Sequence, residues 1–196
     1  MCIRDRHKWL LTNFDCSAHY VKQPELLIRT LSILPEYLKS REQDQVIDYR
    51  DWSVPLGRRF RALKLWFVIR SYGVKGLQKI IRNHIKLAEY AATWIDEDPE
   101  FELVSPRSLS LLNFRFRPKN ITKSADIDLL NEDLLKRLND SGRVYFTQNR
   151  VRGKFTIRWS IGQTNTQLKH VENAWSLIKR ISSNLNQIDS ARNNSD

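Results

Sequence analysis

Apolar side chains change their period near the middle of the chain. From Arg58 to Tyr72 the positions Phe60, Leu63, Trp66, Phe67 and Ile69 recur at helical spacing, and Gly73 suits the carboxyl-terminal cap. A second helix is predicted from about Lys75 to Asp96, with Leu77, Ile80, Ile81, Ile85, Ala88, Ala92 and Ile95 as its buried stripe. Asp98-Pro99 ends it. Beyond that point the pattern alternates: Phe101 to Val104 and Leu111 to Arg117 read as strands. Ile127, Leu130, Leu134 and Leu138 predict a helix that stops at Gly142, and strands follow at Arg143 to Thr147 and Lys154 to Ile161. A last helix is predicted after a capping-box pattern at Thr164 to Gln167, turning Leu168, Val171, Trp175, Ile178 and Ile181 inward. Residues 189–196 read as a polar tail.

Before the first helix the pattern is less regular. His7 to Val21 reads as a short strand and a turn, with Trp9, Leu10, Leu11 and Phe14 apolar. Gln23 to Val46 holds Pro24, Pro35 and a charged stretch from Lys39 to Asp44, so it predicts a long loop with one helical turn near Pro35 to Leu38. The fold class that follows is α/β, ending in an α+β module with a small antiparallel sheet. Met1 to Arg6 resembles the translation of a sequencing adapter, and these six residues read as a non-native leader.

Composition narrows the function. The 196 residues carry 33 Lys and Arg against 22 Asp and Glu, a formal charge of +11. With 41 % hydrophobic and 10 % aromatic residues the chain can bury a core, which excludes wholesale disorder. Apolar runs such as Leu65 to Ile69 are far shorter than the roughly 20 residues of a membrane span. Two cysteines, Cys2 and Cys16, fit a reducing compartment such as the cytoplasm.

The positive charge raises nucleic acid as a partner. In Phe114-Arg115-Phe116-Arg117, however, alternation turns the arginines away from the aromatics, which reads as a core face and a solvated face rather than a stacking platform. A small basic RNA-binding module stays as the alternative reading. No metal is expected, because His7, His19, His84 and His170 show no ligand spacing. His84 falls on the buried side of its helix, where a hydrogen-bonded core histidine is expected.

One dipeptide carries sharper chemistry. A lysine such as Lys8 of His7-Lys8, if held in a dry cleft, loses its proton more readily and can condense with an aldehyde such as that of pyridoxal phosphate. An ordinary solvated lysine is the bland reading of the same residue.

The segments His7-Lys8-Trp9-Leu10-Leu11, Asn13-Phe14-Asp15-Cys16-Ser17-Ala18, Asp48-Tyr49-Arg50-Asp51-Trp52, Pro55 to Trp66 and Tyr72-Gly73-Val74-Lys75-Gly76-Leu77 fit one pattern. In their order and spacing they resemble the group II pyridoxal-phosphate-dependent amino acid decarboxylases, the aromatic-L-amino-acid decarboxylase family. The Phe155 to Arg158 strand and the Trp175 helix extend the likeness from His7 to about Leu185.

The resemblance implies a fold-type I enzyme working as a homodimer. Residues 7–72 would form the end of its cofactor-binding large domain and 73–188 the small domain. It also implies pyridoxal 5'-phosphate as cofactor, Lys8 as its covalent attachment, and His7 beside the cofactor phosphate. Tyr37 would be the catalytic tyrosine of a mobile loop at about 23–46. Where aldehyde-forming members of the family tend to carry phenylalanine, this chain carries tyrosine, which points to plain decarboxylation. Gly57 matches the position that admits bulky aromatic substrates, and Arg158 lies near the substrate-binding region. The small-molecule partner implied is an L-amino acid of the tyrosine, dopa or tryptophan kind, with no nucleic acid or membrane involved. Residues that stack on the cofactor ring and pair with its nitrogen lie upstream of the lysine in the family. The 196-residue chain is therefore expected to be inactive and poorly stable on its own.

Overall fold

The computed structural model describes residues 2–33 and 46–193. The chain divides into two compact units, residues 1–77 and 78–196.

The first unit opens with an antiparallel pair, β1 (Cys2–Asp5) and β2 (Ser17–Tyr20), in the register Cys2↔Tyr20 to Asp5↔Ser17. Part of the segment set aside as a leader is thus one strand of this ladder. Helix α1 (Pro24–Leu31) follows, where the sequence suggests a loop. Pro24 occupies the first turn, where its missing N–H costs nothing, and Glu25 faces the positive end of the helix dipole. Pro24, Leu27, Ile28 and Leu31 form a half-buried stripe at helical spacing, a short period that the flanking prolines and charges obscure. The helical turn expected at Pro35 to Leu38 lies outside the described residues. Tyr49–Trp52 forms a 3-10 turn against α1, and Ser32 Oγ reaches Asp51 at 3.2 Å.

Helix α2 (Arg61–Glu97) merges the two expected helices. Gly73 interrupts it with φ 64° and ψ 169°, a backbone state that a Cβ makes costly. In the second unit α2 buries His84, Leu87, Ala88, Ala91 and Ile95 most deeply, while Ile80, Ile81 and Ile85 of the expected stripe are half-buried.

The second unit holds a four-stranded antiparallel sheet in the order β3-β4-β6-β5. Its strands are β3 (Phe101–Leu103), β4 (Leu111–Phe116), β5 (Thr147–Val151) and β6 (Lys154–Ser160). The register Leu112↔Trp159 and Phe114↔Ile157 places these four side chains on one face. There they join Leu134 and Leu138 of α3 (Ser124–Asp140), and Val171, Ala174 and Ile178 of α4 (Leu168–Asn193), in one core.

The strand expected at Arg143 to Thr147 begins only at Thr147. A two-residue turn, Arg152 (φ 51°) and Gly153 (φ 79°), joins β5 to β6 and fixes this register; positive φ at both positions is the hairpin geometry that matches strand twist. Where β4 leaves β6 behind, Asn131 of α3 satisfies its backbone. The Asn131 amide accepts from Phe116 N at 2.8 Å and donates to Phe116 O at 2.7 Å. The expected capping box is displaced as well. Helix α4 starts at Leu168, and His170 Nδ1 accepts from Gln167 N at 3.1 Å in place of a carboxylate. The expected polar tail is helical as far as Asn193.

Arg115 departs most from its expected place. Alternation assigns it to a solvated face, yet it is 1 % exposed. Glu102 of β3 (Nε–Oε1, 3.6 Å) and Asp128 of α3 (Nη2–Oδ1, 3.3 Å) flank its guanidinium, so charge pairing makes its burial tolerable. Asp128 Oδ1 also accepts from Phe155 N at 3.1 Å, and its Oδ2 takes Arg150 Nη1 at 3.1 Å.

Candidate active site

The His7–Cys16 segment is a loop tied back on itself. Cys16 O accepts from the backbone N–H of Arg6 (2.7 Å) and of His7 (3.2 Å). Leu11 N donates to Lys8 O at 3.2 Å and Thr12 N to Arg6 O at 3.2 Å, closing a tight turn that holds Leu11 at φ 61°. Cys16 N donates to His7 Nδ1 at 3.0 Å, and Phe14 meets the same ring edge-on at 4.8 Å. His7 Nδ1 also lies 2.9 Å from Cys16 O, so the backbone of Cys16 holds the ring from both its amide and its carbonyl.

The first turn of α2 braces this loop. Arg61 Nε donates to Asp15 Oδ2 at 3.0 Å, and Lys64 Nζ donates to the carbonyls of Asn13 (3.3 Å) and Phe14 (3.1 Å). Cys16, 4 % exposed, directs its thiol at Arg61 O (3.8 Å). Desolvation pushes the Asp15 carboxyl up. The Arg61 hydrogen bond, the residue's own backbone amide and the charges of Arg61 and Lys64 outweigh that effect, so the group sits below its ordinary value.

Lys8 stands on the turn with an exposed side chain; the described residues of this unit do not enclose it in the dry cleft that the sequence suggests. His7 and Lys8 are brought together. Gly57 lies in an exposed stretch of the same unit, with no atom within 4 Å of where a Cβ would stand. Tyr37 lies outside the described residues. Arg158 belongs to the second unit, on β6, half-buried between its strand partners Asn113 and Thr147, with Nη1 3.4 Å from Thr147 Oγ1. The brace of Asp15, Arg61 and Lys64 is what sequence reasoning missed; opposite charges in two blocks were its only signal.

The donor set fits a phosphorylated aldehyde. It offers an exposed primary amine for condensation and, next to it, an imidazole fixed by the backbone. Among the described residues no group of His, Cys, Asp and Glu could hold a metal ion, and no helix is long and apolar enough to cross a membrane.

Comparison with known proteins agrees with this chemistry. The model of the pyridoxal-dependent decarboxylase conserved domain matches residues 3–117. A tryptophan decarboxylase of Camptotheca acuminata is 45 % identical over 175 residues, covering 88 % of this chain and 35 % of that protein. A phenylacetaldehyde synthase of Arabidopsis thaliana is 44 % identical over 181 residues, 91 % of this chain and 37 % of the relative. The crystal structure of Oryza sativa TDC with PLP and tryptamine superposes with a TM-score of 0.87 at 38 % identity, over 93 % of this chain and 38 % of its own. The chain thus spans about a third of the length of the curated relatives it matches.

Proposed function

The chain belongs to the pyridoxal-dependent decarboxylase family, whose cofactor is pyridoxal phosphate, and we propose from that premise the part it plays in the full-length protein. It supplies the cofactor lysine and the small domain of a carboxy-lyase that converts an aromatic L-amino acid, of the tyrosine, dopa or tryptophan kind, to its amine and CO2. The observation that carries this reading is Lys8 itself, next to a backbone-fixed histidine on a braced turn, in a chain so similar to tryptophan decarboxylases.

Bound pyridoxal phosphate supplies an aldehyde and an electron-accepting ring for the electrons released as carbon dioxide leaves. Lys8 would hold the group covalently through its side-chain nitrogen. His7, its ring held by the backbone of Cys16, would stand beside the phosphate. Tyr37 delivers a proton to the substrate Cα from its phenol. Gly57 leaves volume for an aromatic side chain, and Arg158 lies by the substrate. The assembly is a cytoplasmic homodimer.

The test uses the full-length protein loaded with pyridoxal phosphate. Borohydride reduction followed by peptide mass spectrometry is expected to find the adduct on Lys8, and Lys8→Ala to abolish both the adduct and CO2 release. An adduct on another residue overturns the proposal. A second reading, amine oxidation to an aldehyde, is favoured by the likeness to the phenylacetaldehyde synthase. Tyr37 weighs against it, and assaying peroxide and aldehyde beside the amine separates the two.

A further inference from the structure

Within the second unit, the extended segment 143–146 and one face of α4 enclose an open groove of about 700 Å³, in the size range of small-molecule sites. Val144, Ala174 and Leu177 give it an apolar floor; Arg143 and Arg180 bring cationic side chains and His170 an imidazole. No carboxylate lines it. Among the described residues, neither guanidinium has a carboxylate within 4 Å. The groove runs on into a smaller one that shares Val144, His170 and Ala174 and reaches the aromatic rings of Phe146 and Trp159.

The walls are pre-organised. Asn139 clamps Phe146 by both backbone groups, accepting from its N–H at 2.8 Å and donating to its carbonyl at 3.0 Å. Ser141 Oγ accepts from Arg143 N at 3.2 Å, after Gly142 has turned the chain at φ 68°. His170 Nδ1 accepts from Gln167 N, which fixes the ring. On α4, residues 170, 173, 174 and 177 follow helical spacing, so one rigid face lines the groove.

Two guanidinium groups without a carboxylate partner among the described residues, lining a groove with an apolar floor, suit one kind of small molecule: a carboxylate on a flat apolar body. We propose that this groove is a binding site for small aromatic carboxylates, separate from the Lys8 turn and independent of the decarboxylase reading. The arginines take the carboxylate, and Val144, Ala174 and Leu177 take the ring. Neither part suffices alone, since exposed arginines hold a bare anion weakly and the floor gives a neutral ring no orientation.

The probe is benzoate, titrated into the 15N-labelled, deuterated full-length protein, with benzyl alcohol and inorganic sulfate in parallel. Saturable amide shifts are expected at 143–146 and 170–180, with benzoate binding about tenfold or more tightly than either comparison compound, equivalent to about 1.4 kcal/mol. Arg180→Gln and, separately, Arg143→Gln are each expected to weaken benzoate about tenfold while leaving the spectrum of the sheet unchanged. Sulfate binding as well as benzoate means an adventitious anion site only and overturns the proposal. So does benzyl alcohol binding equally well, the absence of saturable shifts at these residues, or indifference to both substitutions.

Discussion

The two units hold themselves together by different means. In the second, Leu112, Phe114, Phe116, Leu134, Leu138, Ile157 and Ile178 are completely buried in one core shared by a sheet and three helices. In the first, Cys16 and Leu77 are the only buried apolar side chains among the described residues, while Val54 (87 % exposed), Phe60 (74 %) and Trp66 (53 %) face outward. Its order rests instead on the ties around His7 and on the brace from Arg61 and Lys64. A unit that exposes this much apolar surface and buries so little has a small core of its own to stand on. The lesson is that the His7–Cys16 turn sits in the unit with the fewer buried apolar side chains among the described residues.

Substitutions sharpen this contrast. Phe114→Ala removes a wholly buried ring and is expected to cost about 3–5 kcal/mol in urea unfolding of the chain, the largest effect of the set. Asp128→Ala strips Arg115 of one partner in a buried setting and leaves Phe155 N unanswered; about 3 kcal/mol is expected by the same measurement. A smaller effect depends on pH. Burial holds His84 below its ordinary value, against the opposing pull of its hydrogen bond to Gln163 O (3.0 Å). The folded state thus resists the proton that the unfolded state accepts. Stability from this residue is complete above the ordinary histidine value of about 6.5 and declines as pH falls below it, by at most about 1.4 kcal/mol per pH unit. Thermal midpoints between pH 7.5 and 5 are expected to show this slope in the parent and lose it in His84→Gln. The smallest effect belongs to the first unit. Trp66→Ser is expected to change the stability of the isolated chain by no more than about 0.5 kcal/mol. A cost near that of Phe114→Ala would erase the contrast.

Where one side of an element faces a core, the sequence made that element legible. Ile127, Leu130, Leu134 and Leu138 marked α3, and the alternation of Phe114, Phe116, Ile157 and Trp159 marked the sheet. Elements whose placement depends on distant partners were not legible. The apolar run Val144 to Phe146 imitates a strand, but Asn139 captures its end, and the polar segment Thr147–Val151 pairs with β6 because the Arg152-Gly153 turn sets the register. Arg115 defied alternation because Glu102 and Asp128 supply charges that no local pattern reveals. At the site, His7-Lys8 stood out by its neighbours, whereas the Asp15–Arg61 tie joins residues 46 positions apart.

Asn131 carries a last consequence. Its carboxamide offers Phe116 one acceptor and one donor, the pair that a peptide group of an adjoining strand would present. A helix thereby acts as one residue of a further strand, continuing the ladder of β4 past the end of its pairing with β6. Aspartate in that position would set an anion against a carbonyl, and leucine would leave the N–H and the carbonyl of a wholly buried residue without a partner.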